Sequence, residues 1–150
     1  MKSSHGEKTY IFSPAKLKPD DLADFCGACH RTSVQVQVMG IRDVANVRFQ
    51  PYRLAESRCF NPRDRRSACL ACHDPHQNLE REPASYDPKC LACHRGGQEP
   101  PATAQRTAPA CPVGVSRCIT CHMPRYMLAR SHFKFTDHRI RVVRLGDIFD

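Results

Sequence analysis

Tryptophan is absent from the 150-residue chain, and Leu, Ile, Val and Phe together supply only 29 positions. At a formal net charge of +8, so few large apolar side chains describe a polypeptide that has trouble building a core by itself. No apolar run reaches the length of a membrane-spanning helix, so none is expected and the chain reads as soluble. Met1–Phe12 lacks the apolar stretch of a secretory signal peptide, so none is expected there. Long regular elements are not expected either, because 12 prolines and 7 glycines interrupt the sequence. The length fits one domain over 1–150.

Cysteine is abundant instead, with ten residues. A small chain poor in aliphatics and rich in cysteine is normally held by disulfides, metal or cofactor. Eight of the ten form Cys-x-x-Cys pairs: Cys26/Cys29, Cys69/Cys72, Cys90/Cys93 and Cys118/Cys121. Histidine follows every pair directly, as His30, His73, His94 and His122, so the motifs read CGACH, CLACH, CLACH and CITCH. A Cys pair alone suits zinc, a redox disulfide or haem, whereas CxxCH is the attachment signature of c-type haem. With 8 histidines in 150 residues, chance would place one after all four pairs about once in 10⁵.

The spacing has a chemical reason. Two thiols add across the two vinyl groups of one haem, and two intervening residues let the pair span that edge within a single turn. The next residue then lies beneath the iron, where its imidazole is the proximal ligand. Four haem c groups are expected, held by eight cysteines and four histidines. Two zinc ribbons of four cysteines each would leave four adjacent histidines without a role and would favour pairs about 15–20 residues apart; the pairs here start 43, 21 and 28 residues apart. A thioredoxin-like site needs one such pair in a βαβ setting.

Six-coordinate irons would need four more ligands, and four histidines remain: His5, His76, His132 and His138. Bis-histidine ligation at most or all irons is therefore expected, with potentials below those of His/Met haems. His76, in CHDPH, lies too close to His73 to reach the opposite face of the same haem and is expected to serve a neighbour. Met123 adjoins His122 and cannot reach round the ring; Met1, Met39 and Met127 read as packing residues. Cys59 and Cys111 fall outside the motifs. In an exported chain such a leftover pair is expected to form a disulfide, closing a loop around the second and third motifs; the alternative is two buried free thiols.

Local patterns predict short elements. Asp20–Asp24 begins a short helix leading into Cys26. The alternation in Val34-Gln35-Val36-Gln37-Val38 predicts a strand, with helix as the alternative. Pro51 suits the first turn of a helix over about 51–58. CLACHDPH and CLACHRGG form a weak repeat within 61–95. Residues 96–117 read as loop, 116–131 as helix after the fourth motif, and Arg139–Leu145 as a short closing strand. The expected fold class is mostly α, with few short helices and much irregular loop, organised around a packed haem core whose faces supply the missing apolar area.

On this reading the basic excess has an internal use. Each haem brings two propionates, which Arg31, Arg63, Arg65, Arg66, Arg95 and Arg125 are candidates to neutralise. No nucleic-acid-binding motif accompanies the charge, so nucleic acid is not an expected partner. A residual basic patch would steer an acidic redox protein.

With these motifs the chain resembles multihaem c-type cytochromes, in style the doubled-CxxCH and cytochrome c-552/4-like groups. CLACHDPH, CITCHMPR and the closing FTDHRI carry the resemblance, over residues 26–140. It implies electron transfer in the periplasm or outside the cell, because covalent haem attachment follows export, with redox proteins as partners. A mature form or one segment of a longer cytochrome would account for the missing signal peptide. The wide gap between the first two motifs suggests that the 31–60 stretch replaces a haem-binding segment. Electron transfer without catalysis is the expectation. One alternative is a multihaem oxidoreductase of the nitrite or hydroxylamine type; such nitrite reductases often carry CxxCK at the catalytic haem, and no CxxCK occurs here. Another is a repeating unit of a cytochrome filament, with His5 reaching a neighbouring copy's iron.

Overall fold

Helix begins where the acidic run predicts it. The structure, a computed structural model, describes residues 12–94, 111–147 and 149; His5, Met1, Arg95 and most of the expected 96–117 loop lie outside them. A 3₁₀ turn at Pro14–Lys16 precedes α1 (Pro19–His30). Proline in the first turn presets φ, and Asp20 and Asp21 sit against the positive end of the helix dipole. The first motif occupies the end of this helix.

Arg31 turns the chain at φ 66°, and Thr32 opens α2 (Ser33–Val38) through a capping box. The Thr32 hydroxyl accepts from the Gln35 amide at 3.2 Å, and the Gln35 side-chain oxygen accepts from the Thr32 amide at 2.9 Å. This corrects the strand expected over Val34–Val38. The reciprocal pair satisfies two amides that only a helix start leaves open. The helical period then puts Val36 inside while Val34 and Val38 are exposed. Gly27 lets α2 approach α1, since a Cβ there would lie 2.9–3.0 Å from Thr32 atoms, two of them backbone.

A 3₁₀ stretch over Asp43–Arg48 leads into α3 (Gln50–Ala55), with Pro51 in its first turn as predicted. The helix stops short of 58, and Ser57 turns its hydroxyl to the C-terminal segment. The remaining motifs begin on short helical turns, α4 (Cys69–Cys72), α5 (Asp87–Leu91) and α6 (Cys118–His122), with His73, Cys93 and His94 just past the ends of theirs. The helix expected over 116–131 is limited to α6, because Pro124 disfavours helix at the residue before it. Arg125–Met127 (β1) instead pairs antiparallel with Lys134–Thr136 (β2), Arg125 opposite Thr136 and Met127 opposite Lys134. Arg139–Leu145 forms no strand. The Arg139, Ile140 and Arg141 amides go instead to the Asp137 carboxylate, the Ser57 hydroxyl and the His122 carbonyl.

The described residues thus form a mostly helical and irregular chain with one small sheet. Their buried apolar side chains are Leu22, Val36, Val47, Phe49 and Ala68, whereas twelve large apolar residues, Phe25 and Phe133 among them, are exposed. The bulkiest fully buried side chain is Arg53. Among the described residues no helix is long and apolar enough to cross a membrane.

Candidate functional site

Each motif closes a turn on itself. The His73 amide donates to the Cys69 carbonyl at 2.9 Å, and the His94 amide to the Cys90 carbonyl at 3.0 Å. In α1 and α6 the corresponding residues lie inside the helix. Two thiols and an imidazole therefore leave one short stretch of backbone in a fixed order. α1 packs on α4, and α5 on α6. The Cys69 thiol lies beside Cys26, and burial first, then Cys26, pushes it up to about 12. The Cys118 thiol is also pushed up to about 12, by burial and then by Asp87 and Cys90 beside it. Burial likewise raises Cys72 and Cys90.

The start of α6 is held from α5. Arg117 sits at φ 52° and gives α6 no side-chain cap of its own. The Asp87 carboxylate accepts from the Arg117 amide at 2.6 Å and the Cys118 amide at 2.8 Å. These bonds, the Cys118 amide foremost, hold its carboxyl below the usual range. The third and fourth motifs are thereby joined.

The second motif meets the C-terminal segment. The rings of His73 and His138 have centres 6.2 Å apart and planes at 41°. An imidazole nitrogen lies about 2 Å from a first-row metal it ligates and about 1 Å from its own ring centre, so two imidazoles trans on one ion have centres about 6 Å apart. The His73–His138 centroid separation matches that distance. His138 Nδ1 lies 3.0 Å from the Thr136 carbonyl oxygen; a proton donated there leaves Nε2 with the lone pair a metal needs. Burial, and then the neighbouring His73, oppose a second proton and push the His138 pKa down to about 4. Tyr86 meets His73 edge-on at 5.8 Å. In the fourth motif, His122 Nδ1 lies 2.9 Å from the Arg141 carbonyl oxygen, the same orienting contact.

The other expected residues are placed less tightly. His76 and His132 are exposed, and the His76 amide is engaged by the Asp74 carboxylate at 2.9 Å. His138 is thus the described distal candidate with its ring against a motif histidine. Cys59 and Cys111, the pair expected to form a disulfide, are both free thiols here. The Cys59 sulfur has Cys93 and Cys72 as thiol neighbours, and the Cys111 sulfur is engaged by the Val113 and Gly114 backbone. Arg66 is paired with Asp64 at 2.6 Å, and Arg65 Nη2 donates to the Lys16 carbonyl, also at 2.6 Å. Arg31 does reach a motif: with Arg48, Phe49, Gln50 and Phe135 it lines a cavity of about 370 Å³ against Cys29 and His30. The Gln50 Oε1 there is buried without a hydrogen-bond partner.

No three His, Cys, Asp or Glu side chains among the described residues converge as a metal-ion group. Comparison with protein-family models, curated proteins and solved structures gives no match for this chain. Sequence reasoning missed Arg53, Ser57, Asp87 and Asp137, the residues that hold the imidazoles and helical turns in place. The one available signal was the position of Asp137 directly before His138.

Proposed function

We propose that this chain is a tetrahaem c-type cytochrome whose function is electron transfer. The attachment pairs are Cys26/Cys29, Cys69/Cys72, Cys90/Cys93 and Cys118/Cys121, with His30, His73, His94 and His122 as proximal ligands. The single observation that carries the reading beyond the motifs is the 6.2 Å spacing of the His73 and His138 ring centres, which supports His138 as the second axial ligand at the second motif. Bound haem supplies a one-electron iron couple.

The chain's own residues do the rest. At the second motif His73 and His138 would together hold both sides of the iron, leaving no exchangeable position there, which favours transfer over catalysis at that haem. The Thr136 and Arg141 carbonyls fix the ring orientation and basicity of His138 and His122. Arg31 and Arg48 bring positive charge, and Phe49 and Phe135 apolar surface, to the cavity beside His30, a lining that suits a carboxylate-bearing macrocycle. The exposed Phe25, Phe133 and Val142 are surfaces for it to cover. Cys26 beside Cys69, and Cys90 beside Cys118, place motifs in adjacent pairs, a suitable order for stepwise transfer. We assign the chain to a periplasmic or extracellular electron-transfer chain, as a carrier or subunit with redox proteins as partners.

Intact mass of protein produced with haem-attachment machinery should exceed the bare chain by four haems. His138→Ala should then convert one low-spin ferric signal to high spin and let about one haem per chain bind carbon monoxide when reduced. A colourless product, or His138→Ala protein with every signal unchanged, would overturn the assignment.

A further inference from the structure

We infer that the buried Asp137 carboxylate is a shared positioning group for axial ligands at two different haems, those of the second and fourth motifs. The inference rests on the haem reading above. Asp137 is fully buried and accepts four hydrogen bonds. Arg53 Nε and Nη2 reach its two oxygens as a fork, each at 2.9 Å; Arg141 Nη1 donates at 2.5 Å and the Arg139 amide at 3.0 Å. Its own amide donates to the Pro124 carbonyl at 2.9 Å.

Two paths leave this carboxylate, and each ends on an imidazole. Along the chain, the next residue is His138. The His138 carbonyl accepts from the Ser57 hydroxyl at 3.0 Å, and the same hydroxyl accepts from the Ile140 amide at 2.8 Å. The backbone carrying the second motif's distal ligand is thus pinned on both sides of Arg139. Across space, the carboxylate holds the Arg141 guanidinium, which Tyr126 also engages at 3.2 Å. The Arg141 carbonyl orients His122 Nδ1, and the Arg141 amide donates to the His122 carbonyl at 3.2 Å. That is the fourth motif's proximal ligand.

A buried charge pair is a poor source of stability, because desolvation offsets much of its attraction. Here the chain devotes its bulkiest fully buried side chain, Arg53, to one. A purely structural role, tying α3 to the C-terminal segment, would disturb all haems or none when weakened. A positioning role disturbs two.

The test uses the full haem-loaded chain. Paramagnetic resonance of the ferric protein resolves the low-spin signals, and carbon monoxide binding reports loosened ligands. Asp137→Asn should change two of four signals, one of them the signal that His138→Ala removes, and should raise carbon monoxide binding at the haem of the second motif, whose distal ligand is loosened. Ser57→Ala should change only the signal that His138→Ala removes, and Arg141→Ala only the other. Asp137→Asn with four haems and four unchanged signals, or with all four shifted, would overturn the inference. If that variant incorporates fewer than four haems, the Ser57→Ala and Arg141→Ala pair decides: effects on two separate haems support it, and effects on the same haem or on none overturn it. Wild-type protein without haem would instead defeat the underlying cytochrome reading.

Discussion

Gly27 occupies the position that Leu70, Leu91 and Ile119 hold in the other motifs, and the reason lies in the next element. A Cβ at 27 would meet the Thr32 amide nitrogen and Cα at 3.0 Å, backbone atoms that cannot swing aside. Gly27→Leu should therefore destabilise the protein by about 1–3 kcal/mol through overpacking, despite a helix-propensity gain of under about 1 kcal/mol; the denaturant midpoint measures it. Asp87 offers a pH test. Its folded pKa lies below the unfolded carboxylate value, so its contribution is complete above about pH 3.9 and is lost as pH falls through the folded value. Asp87→Ala should be less stable than wild type at pH 7 and pH 5, with the gap closing at more acid pH, as followed by thermal unfolding. At this scale the four Cys-x-x-Cys-His motifs were legible because their residues are neighbours in sequence. The Arg53–Asp137 fork was not, since 84 residues separate its ends and only the place of Asp137 beside His138 marks one of them. In sequence His76 is the stronger candidate, ahead of His132 and His138; burial, which sequence does not carry here, favours His138 instead.

Among elements, α2 shows how a short pattern misleads. Three alternating valines fit a strand, yet Thr32 and Gln35 stand at capping-box spacing and the helix prevails. Thr32→Ala should cost about 0.5–2 kcal/mol and lower helical ellipticity, measurable by circular dichroism; an unchanged midpoint would show that tertiary contacts alone hold α2. Where a start signal was recognised, as at Asp20–Asp24 and Pro51, the element was found. Where the pattern was followed without its terminators, it was overextended: Pro124 stops the helix after the fourth motif and leaves room for the β1–β2 hairpin. The segment after β2 spends its amides on side chains and on the His122 carbonyl rather than on a strand partner, a choice no alternation could reveal.

For the whole molecule, composition was the most legible feature. A chain with few aliphatics yields an interior that, among the described residues, holds five apolar side chains and a buried arginine. Such an interior does not offset the conformational entropy of ordering a chain of this length. Protein made without haem attachment should therefore show little far-ultraviolet helical signal and no cooperative thermal transition, while the haem-loaded form shows both; a cooperatively folded haem-free chain would contradict this. What composition could not supply is the pairing of parts. The joining of the third and fourth motifs rests on one carboxylate, Asp87, and two amides.

That carboxylate limits how the molecule can be divided. The turn bearing Cys118, Cys121 and His122 borrows its opening support from a residue that precedes Cys90, so a transplant of 118–122 into another scaffold would carry the reactive groups without the brace that aims them. The fourth motif is accordingly not portable without Asp87, nor its imidazole without Arg141.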